Sequence, residues 1–176
     1  MSKIKFLTEK PIPREHLRFT TSNDINFYMI KKGDFLLNQE FLSWLHKDIS
    51  DGIVMSSTLL STIYNEAFGK NAHCIVAFKE STNECVGYIV LAYDVDNQDD
   101  LSANIVMVDV FTDFRRMNIG SNLVFLGEDL IKSRGKKNIS LKTYTDFEWV
   151  ENFYEKLEYK KLSESLNYEA IYIKNI

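Results

Sequence analysis

The apolar positions of the chain change their period near its middle. Residues 105–111, IVMVDVF, are almost all apolar or β-branched, which predicts a strand buried on both faces. The apolar residues after residue 118 recur at helical spacing, at Ile119, Leu123, Leu126 and Leu130. Arg134 then places a cation near the negative end of the helix, and Gly135 suits a left-handed cap. We therefore predict a strand, a short turn and a helix of about four turns.

Similar patterns predict the other elements of the chain. Apolar and alternating runs predict strands at Ile25–Ile30, His73–Lys79 and Cys85–Tyr93, a further strand from Ala103, and strands at Ile139–Thr143, Lys160–Ser165 and Tyr168–Ile173. Helical spacing predicts helices from Asp34 to about Leu45, from about Ser57 to Phe68, and around Tyr154. The predicted order is β-α-α-β-β-β-α-β-α-β-β, with no internal repeat and no linker.

The chain is long enough for one domain. With 176 residues, of which 45% are hydrophobic, it can form one substantial core, so we predict a single domain over residues 1–176. Residues 1–20 contain five cations and two prolines, and we interpret them as an extended arm or a short added strand.

Composition narrows the classes of partner. The net charge of −4 argues against nucleic acid as the main partner, so a polyanionic ligand would have to bind locally. The chain has no apolar stretch of membrane-spanning length and no signal-peptide core at its start, so we expect a cytoplasmic protein without membrane contact. Cys74 and Cys85 lie in apolar runs and are interpreted as reduced core residues, although a disulfide between them is not excluded.

The turn between the central strand and helix has the composition of an anion site. It contains Arg115, Arg116, Met117, Asn118, Ile119, Gly120 and Ser121. The first N–H groups of a helix have no intrahelical partner and, with the helix dipole, they attract phosphate groups. Asn118 suits either an N-cap or a positive φ, and the small side chains at 120 and 121 allow a ligand close to the backbone. The alternative is an ordinary strand-turn-helix unit with two solvated arginines.

Two motifs resemble those of the GNAT-type N-acetyltransferase family. The run from Arg115 to Gly120, RRMNIG, resembles the acyl-CoA-binding motif [Q/R]-x-x-G-x-[G/A], with Asn118 in place of the first glycine. The run WVENFYEKLEY from Trp149 to Tyr159 resembles the family's A-x-x-F-Y-x-K-L-G-F run. The matching residues of the second motif are Phe153, Tyr154, Lys156 and Leu157.

The second motif departs from the family at its end. Glu158 stands where glycine is common, and Tyr159 replaces the terminal phenylalanine. The alternative interpretation of this segment is an amphipathic helix whose Val150, Phe153 and Leu157 merely face the core.

The resemblance implies a fold and an activity. The fold is the α/β (α+β) GNAT acyl-CoA N-acyltransferase fold, with a central mixed, mostly antiparallel sheet of about seven strands and four helices. The implied activity is acetyl transfer from acetyl-CoA, the co-substrate, to a primary amine of a small molecule or peptide. It further implies that Val108 and Val110 pair with the pantetheine arm, that N–H groups of Met117 through Ser121 hold the pyrophosphate with Arg115 and Arg116, and that Tyr154 protonates the leaving thiolate.

The general base and the acceptor are less defined. Asp109 is the one carboxylate on the strand before the turn, but it should point opposite to Val108 and Val110, so we favour water-mediated deprotonation. Phe147 occupies the position of an asparagine that often contacts pantetheine in the family. The resemblance also implies that Trp44, Tyr64 and Glu66 border the acceptor, although such residues are more often core or rim. Residues 94–100, DVDNQDD, form either a solvated hairpin tip or an acidic lip that attracts a cationic amine.

Other chemistries find little support in the sequence. His16, His46 and His73 lie far apart without H-x-x-x-H or C-x-x-C spacing, so we expect no metal site. Serine hydrolase, P-loop and dinucleotide-binding motifs are also missing from the sequence. A second hypothesis is a non-catalytic acyl-CoA-binding sensor or interaction domain. The sequence leaves open whether the protein forms a homodimer.

Overall fold

One mixed β-sheet organises the protein. The computed structural model describes residues 17–20, 24–30, 72–82, 84–93, 100–144 and 147–176. The strands are β1 (Leu17–Thr20), β2 (Ile25–Ile30), β3 (Ala72–Lys79), β4 (Glu84–Ala92), β5 (Ser102–Val110), β6 (Asn138–Tyr144), β7 (Lys160–Glu164) and β8 (Glu169–Asn175). The helices within these residues are α1 (Ile119–Ser133) and α2 (Glu148–Lys156). Neither is both long and apolar enough to cross a membrane.

The sheet confirms the predicted fold class. Its order is β1-β2-β3-β4-β5-β6-β8-β7, and every neighbouring pair is antiparallel except β5 and β6. Over the described residues it has eight strands instead of about seven, because Leu17–Thr20 pairs with β2. The predicted helices near 34–45 and 57–68, with Trp44, Tyr64 and Glu66, lie outside the described residues, as do residues 94–99 of the acidic segment.

Helix α1 crosses from β5 to β6 and covers one face of the sheet. Its buried face includes Leu123, Val124 and Ile131, at the predicted helical spacing. A Cβ at Gly127 would lie 3.1 Å from Ile89 and 3.2 Å from Leu91, so this glycine lets the helix approach the sheet closely.

The core is formed between this helix and the sheet. Cys74 and Cys85 are both buried and are not joined by a disulfide, as predicted.

Strand β5 is less buried than predicted, because residues 106–110 are only partly buried. These residues lie where β5 leaves its neighbour β6.

Both helices end in the same hydrogen-bonding motif. At the end of α1, the N–H of Lys136 donates to Ile131 and that of Gly135 to Lys132, with Gly135 at φ +77°. This pattern is a Schellman motif, and it confirms the predicted glycine cap.

Helix α2 closes in the same way without a glycine. The N–H of Tyr159 donates to Tyr154, and that of Glu158 donates to Glu155. Glu158 adopts φ +69°, a conformation that costs a residue with a Cβ roughly 1–2 kcal/mol. The family's glycine would adopt it without that cost, so the departure at Glu158 stores local strain.

We predict that Glu158→Gly stabilises the fold relative to Glu158→Ala by about 1 kcal/mol. Both substitutions remove the same carboxylate, but only glycine relieves the left-handed strain. For a chain of this length the difference corresponds to a melting temperature higher by roughly 2–4 °C, measurable by calorimetry. Equal stability of the two variants would show that the backbone at residue 158 relaxes without cost.

Candidate functional site

An opening between β5 and β6 is the main feature of the site. Their parallel ladder covers only four positions, from Ser102 opposite Asn138 to Ile105 opposite Leu141. Beyond it, residues 107–110 of β5 remain paired with β4, while residues 142–144 of β6 remain paired with β8. The two strands therefore separate, and each presents unpaired backbone to the gap.

A β-bulge causes this separation. In the ladder between β4 and β5, Val90 pairs with Met107 and Leu91 pairs with Ile105, so Val106 is an extra residue on β5. A bulge bends its strand and increases the local twist. Because the bulge lies directly after the last position paired with β6, it turns the end of β5 away from that neighbour.

The last backbone groups of β5 point into the opening. The N–H of Val110 donates to Oδ1 of Asp109 at 2.8 Å, and its carbonyl accepts a bond from Nε of Arg115 at 2.9 Å. The N–H of Phe111 instead donates back to Val86 of β4. Along this end of β5, the backbone groups of successive residues therefore point alternately toward β4 and away from it. The backbone groups of Val108 therefore also point away from β4, and no side chain among the described residues caps them.

The turn after β5 presents a continuous row of N–H donors. Within the described residues, the N–H groups of residues 116–121 have no hydrogen-bond partner, and the first helical bond joins Asn122 to Asn118. Arg116 and Asn118 adopt positive φ angles of 63° and 59°. Alternation of such residues with ordinary ones turns successive N–H groups to one side and forms a concave anion site. The turn therefore has the geometry for phosphate oxygens.

Two residues of this turn have further structural features, and Asn118 has the positive φ angle that its residue type allows. Asn118 is the N-cap of α1, but its side chain makes no capping hydrogen bond, because the residue is left-handed. A Cβ at Gly120 would lie 3.3 Å from Phe153 and 3.6 Å from Val110, so the small size of this residue serves packing against α2. The N–H of Gly120 remains available to a ligand.

The other residues of the predicted site also have defined places. The side chain of Ile119 is buried, that of Met117 is exposed, and that of Ser121 is partly buried. Val108 and Val110 pack with their side chains against the core. These residues can therefore offer a ligand mainly their backbone.

The two arginines of the turn have different roles. Arg115 is held by the carbonyl of Val110, by Asp109 at 3.8 Å, and by the ring of Trp149, whose centroid lies 5.3 Å from the guanidinium carbon. Arg116 is exposed and, within the described part of the chain, makes no hydrogen bond or ion pair. Arg116 is thus the cation of this pair that is available to a ligand.

Tyr154 lies in the core, among three other aromatic rings. Its side chain is only 7% exposed, and its ring contacts those of Phe153, Tyr159 and Tyr172 at centroid distances of 5.1, 5.8 and 5.9 Å. Burial raises the pKa of the Tyr154 phenol above its ordinary value, so the hydroxyl is protonated at neutral pH. No hydrogen bond to this hydroxyl forms within the residues that the structure describes. Among the described residues, no group accepts the proton of this phenol.

A buried charged group, which the sequence analysis did not identify, supports this tyrosine. The hydroxyl of Tyr159 donates to Glu128 of α1 at 2.9 Å, and Nζ of Lys174 binds the same carboxylate at 2.9 and 3.1 Å. The ring of Tyr159 in turn packs against Tyr154. Two features of the sequence could have revealed this group. They are a glutamate on the apolar face of the predicted helix and the tyrosine at position 159, where the family has phenylalanine.

Asp109 and Phe147 do not take the roles common in the family. Asp109 binds the N–H of Val110 and lies near Arg115, so its carboxylate is already engaged by its own strand and turn. Phe147 precedes α2, is 55% exposed, and makes no side-chain capping bond. The pantetheine contact that an asparagine would supply is therefore missing at this position.

Comparison with known proteins identifies relatives of this architecture. A family model described as Acetyltransferase (GNAT) family matches residues 38–159. The PaiA N-acetyltransferase from Thermoplasma acidophilum, solved with coenzyme A, has a TM-score of 0.59 and 16% identity over 86% of this chain and 99% of its own. No curated protein matches the sequence significantly.

Two further solved structures share the fold at similarly low identity. A GNAT-family acetyltransferase from Staphylococcus aureus Mu50 has a TM-score of 0.63 and 19% identity over 86% of this chain and 98% of its own. A chain of the NatC complex, solved with a Gag peptide and CoA, has a TM-score of 0.68 and 18% identity over 87% of this chain and 99% of its own. At such identities these similarities establish the fold alone.

We predict that Glu128→Ala destabilises the protein by about 3 kcal/mol. The substitution leaves the Lys174 charge and the Tyr159 hydroxyl without their shared partner in a largely buried place. The double variant Glu128→Leu with Lys174→Met removes both charges. Its loss in free energy of unfolding should be clearly smaller than the sum of the losses of Glu128→Leu and Lys174→Met measured separately. Urea unfolding of all variants measures this, and strict additivity would show that the two charges are not coupled.

Proposed function

The chain belongs to the acetyltransferase (GNAT) family, and we propose that it transfers an acetyl group from acetyl-CoA to a primary amine of a small molecule or peptide. The observation that carries this proposal is the continuous row of unpartnered N–H groups at residues 116–121, placed directly beside the opening between β5 and β6. A thioester of CoA has the matching parts, namely a pyrophosphate for the turn and an amide-bearing arm for the opening.

The N–H row and Arg116 would hold the pyrophosphate. Backbone donors and the positive end of α1 stabilise negative charge locally, as a protein with a net charge of −4 requires for a polyanionic ligand. The backbone of Val108 would pair with the pantetheine amides, whereas Val110 contributes only if the ligand displaces the side chains that cap it. Coenzyme A bound to the Thermoplasma acidophilum structure and to NatC agrees with this assignment.

The reaction we propose is direct attack of a neutral amine on the thioester carbonyl carbon. A bond forms between nitrogen and carbon, the carbon–sulfur bond breaks, and the sulfur leaves as a thiolate with the electron pair. Tyr154 would give its phenolic proton to this thiolate as general acid. Burial raises the pKa of Tyr154, which keeps the proton in place before the reaction and makes transfer dependent on a nearby anion.

The proton of the attacking amine would leave through water. Asp109 is occupied by Val110 and Arg115, and it extends from the face of β5 opposite to the packed side chains of Val108 and Val110. The same observation favours the second candidate function, an acyl-CoA-binding domain without turnover, because the described residues supply no carboxylate base at the opening. The two functions differ in whether any amine is acetylated.

A screen of amines decides between the two functions. Small primary amines, polyamines and peptides with free N-termini would be mixed with the protein and acetyl-CoA, and thiol release would be followed over time. Release that depends on a particular amine establishes the transferase. Binding of acetyl-CoA, seen as a raised melting temperature, without thiol release for any amine would favour the binding domain.

We predict that Arg116→Ala weakens acetyl-CoA binding by about 10-fold, or roughly 1.4 kcal/mol, because an exposed but charge-assisted phosphate contact is lost. Lys132→Ala removes an exposed cation at the other end of α1 and should leave the affinity unchanged. Titration calorimetry on both variants measures the difference. Equal affinities would show that the side chain of Arg116 makes no contact with the phosphates.

We predict that Tyr154→Phe lowers kcat by roughly 10²- to 10⁴-fold while acetyl-CoA affinity changes little. Phenylalanine keeps the ring contacts with Phe153, Tyr159 and Tyr172, and the lost hydroxyl makes no hydrogen bond within the described residues. The melting temperature should therefore be close to that of the wild type. An unchanged kcat, under conditions in which chemistry limits turnover, would rule out the acid role.

A further inference from the structure

An exposed indole lies next to the phosphate-binding turn. Trp149, in the first turn of α2, is 58% exposed, although tryptophan is among the most favourable side chains to bury. Part of its ring is covered by the guanidinium of Arg115, at 5.3 Å. Phe147, also exposed, lies 6.0 Å from it between ring centroids. The two rings form an aromatic surface, defined here as Phe147 and Trp149.

Helix α2 places this surface along the row of N–H donors. Phe153, one helical turn after Trp149, lies beside Gly120, while Trp149 itself contacts Arg115. One side of α2 therefore follows the turn from its first arginine to the start of α1. A ligand whose phosphates occupy the turn would have its next group within reach of the indole.

The charges around the indole are offset by their neighbours. Glu148 and Glu151 both lie in the first turn of α2, where they offset the attraction of its N-terminus for anions, and Glu151 is itself paired with Lys161. Arg115 is held by Val110 and Asp109. A flat, uncharged group is therefore favoured over an anionic one. Nucleobases have this character, and they stack on tryptophan with useful free energy.

We propose that Trp149 is the stacking platform for the adenine base of acetyl-CoA. This inference rests on the proposed function, because the phosphates must first occupy the turn at residues 116–121. The indole would be held between the guanidinium of Arg115 on one side and the adenine on its exposed surface. Cofactor recognition would then combine main-chain contacts to the phosphates with one side-chain contact to the base.

Two thioesters separate this role from a merely structural one. Acetyl-CoA carries a pyrophosphate and adenosine 3′-phosphate, whereas S-acetyl-4′-phosphopantetheine has the same thioester arm and a single phosphate. The comparison is therefore made between the wild type and each variant for one thioester at a time. Their affinities would be measured by calorimetry for the wild type, Trp149→Ala and Trp149→Phe. Phe125→Ala is the matched control, because this aromatic is similarly exposed, at 48%, but lies two turns into α1.

We expect Trp149→Ala to weaken acetyl-CoA binding by roughly 5- to 140-fold, which equals stacking free energies of about 1–3 kcal/mol. Binding of the phosphopantetheine thioester should be unchanged, Trp149→Phe should retain part of the affinity, and Phe125→Ala should retain all of it. In the wild type, acetyl-CoA should also quench indole fluorescence by an amount that is lost in Trp149→Phe.

Three results would overturn the proposal. Equal losses for both thioesters would show that Trp149 acts only by holding Arg115. Unchanged acetyl-CoA affinity in Trp149→Ala would refute the stacking while leaving the proposed function intact. If the truncated thioester binds too weakly to measure, the fluorescence comparison decides. Quenching in Trp149→Phe as large as in the wild type contradicts the platform, because it would come from the chain's other indole, Trp44. A wild-type protein that binds no acetyl-CoA refutes the proposed function itself.

Discussion

The separation of β5 from β6 is the constraint on which the rest of the site depends. Backbone N–H and carbonyl groups that lose their ladder partners must find others, because leaving them unpaired in a partly buried place is unfavourable. At Val110 the protein supplies those partners itself, from Asp109 and Arg115. At Val108 it does not, so an extended ligand with amide groups is the natural complement. The one bulged residue, Val106, thus lies where the ladder between β5 and β6 ends and the sheet opens.

The capture of Arg115 links this edge to the phosphate turn. Arg115 donates a hydrogen bond to the carbonyl of Val110 and packs over the ring of Trp149, which holds the chain between β5 and α1. The next side chain, Arg116, remains exposed to a ligand. The two adjacent arginines therefore differ: Arg115 is held by contacts within the protein, whereas the side chain of Arg116 is exposed. Main-chain donors such as the N–H groups of residues 116–121 can attract an anion locally, which an acidic protein would need for a polyanionic ligand.

Much of this arrangement could be predicted from the sequence. The strand at Ile25–Ile30 has the predicted ends, and the change of period after residue 111 located α1 and its turn. The bulge at Val106 could not be predicted, because it depends on the register with β4 and leaves no mark on the local pattern of apolar residues. The contacts of Arg115 with Trp149, and of Glu128 with Lys174, also join residues more than 30 positions apart. Periodicity reports which face is buried, but not which partner is found there.

The short ladder between β5 and β6 also has a consequence for motion. Strands β2 to β5 pair in chain order and carry most of the contact with α1, whereas β6, β7 and β8 pair among themselves. Four ladder positions join the two halves of the sheet directly, so opening at this junction breaks few backbone bonds. We expect amide hydrogen exchange to be faster for residues 138–141 of β6, whose ladder with β5 is only four positions long, than for the centre of β4. The ladders of β4 with both neighbours run over most of its length. A ligand spanning the opening would slow that exchange by joining the halves.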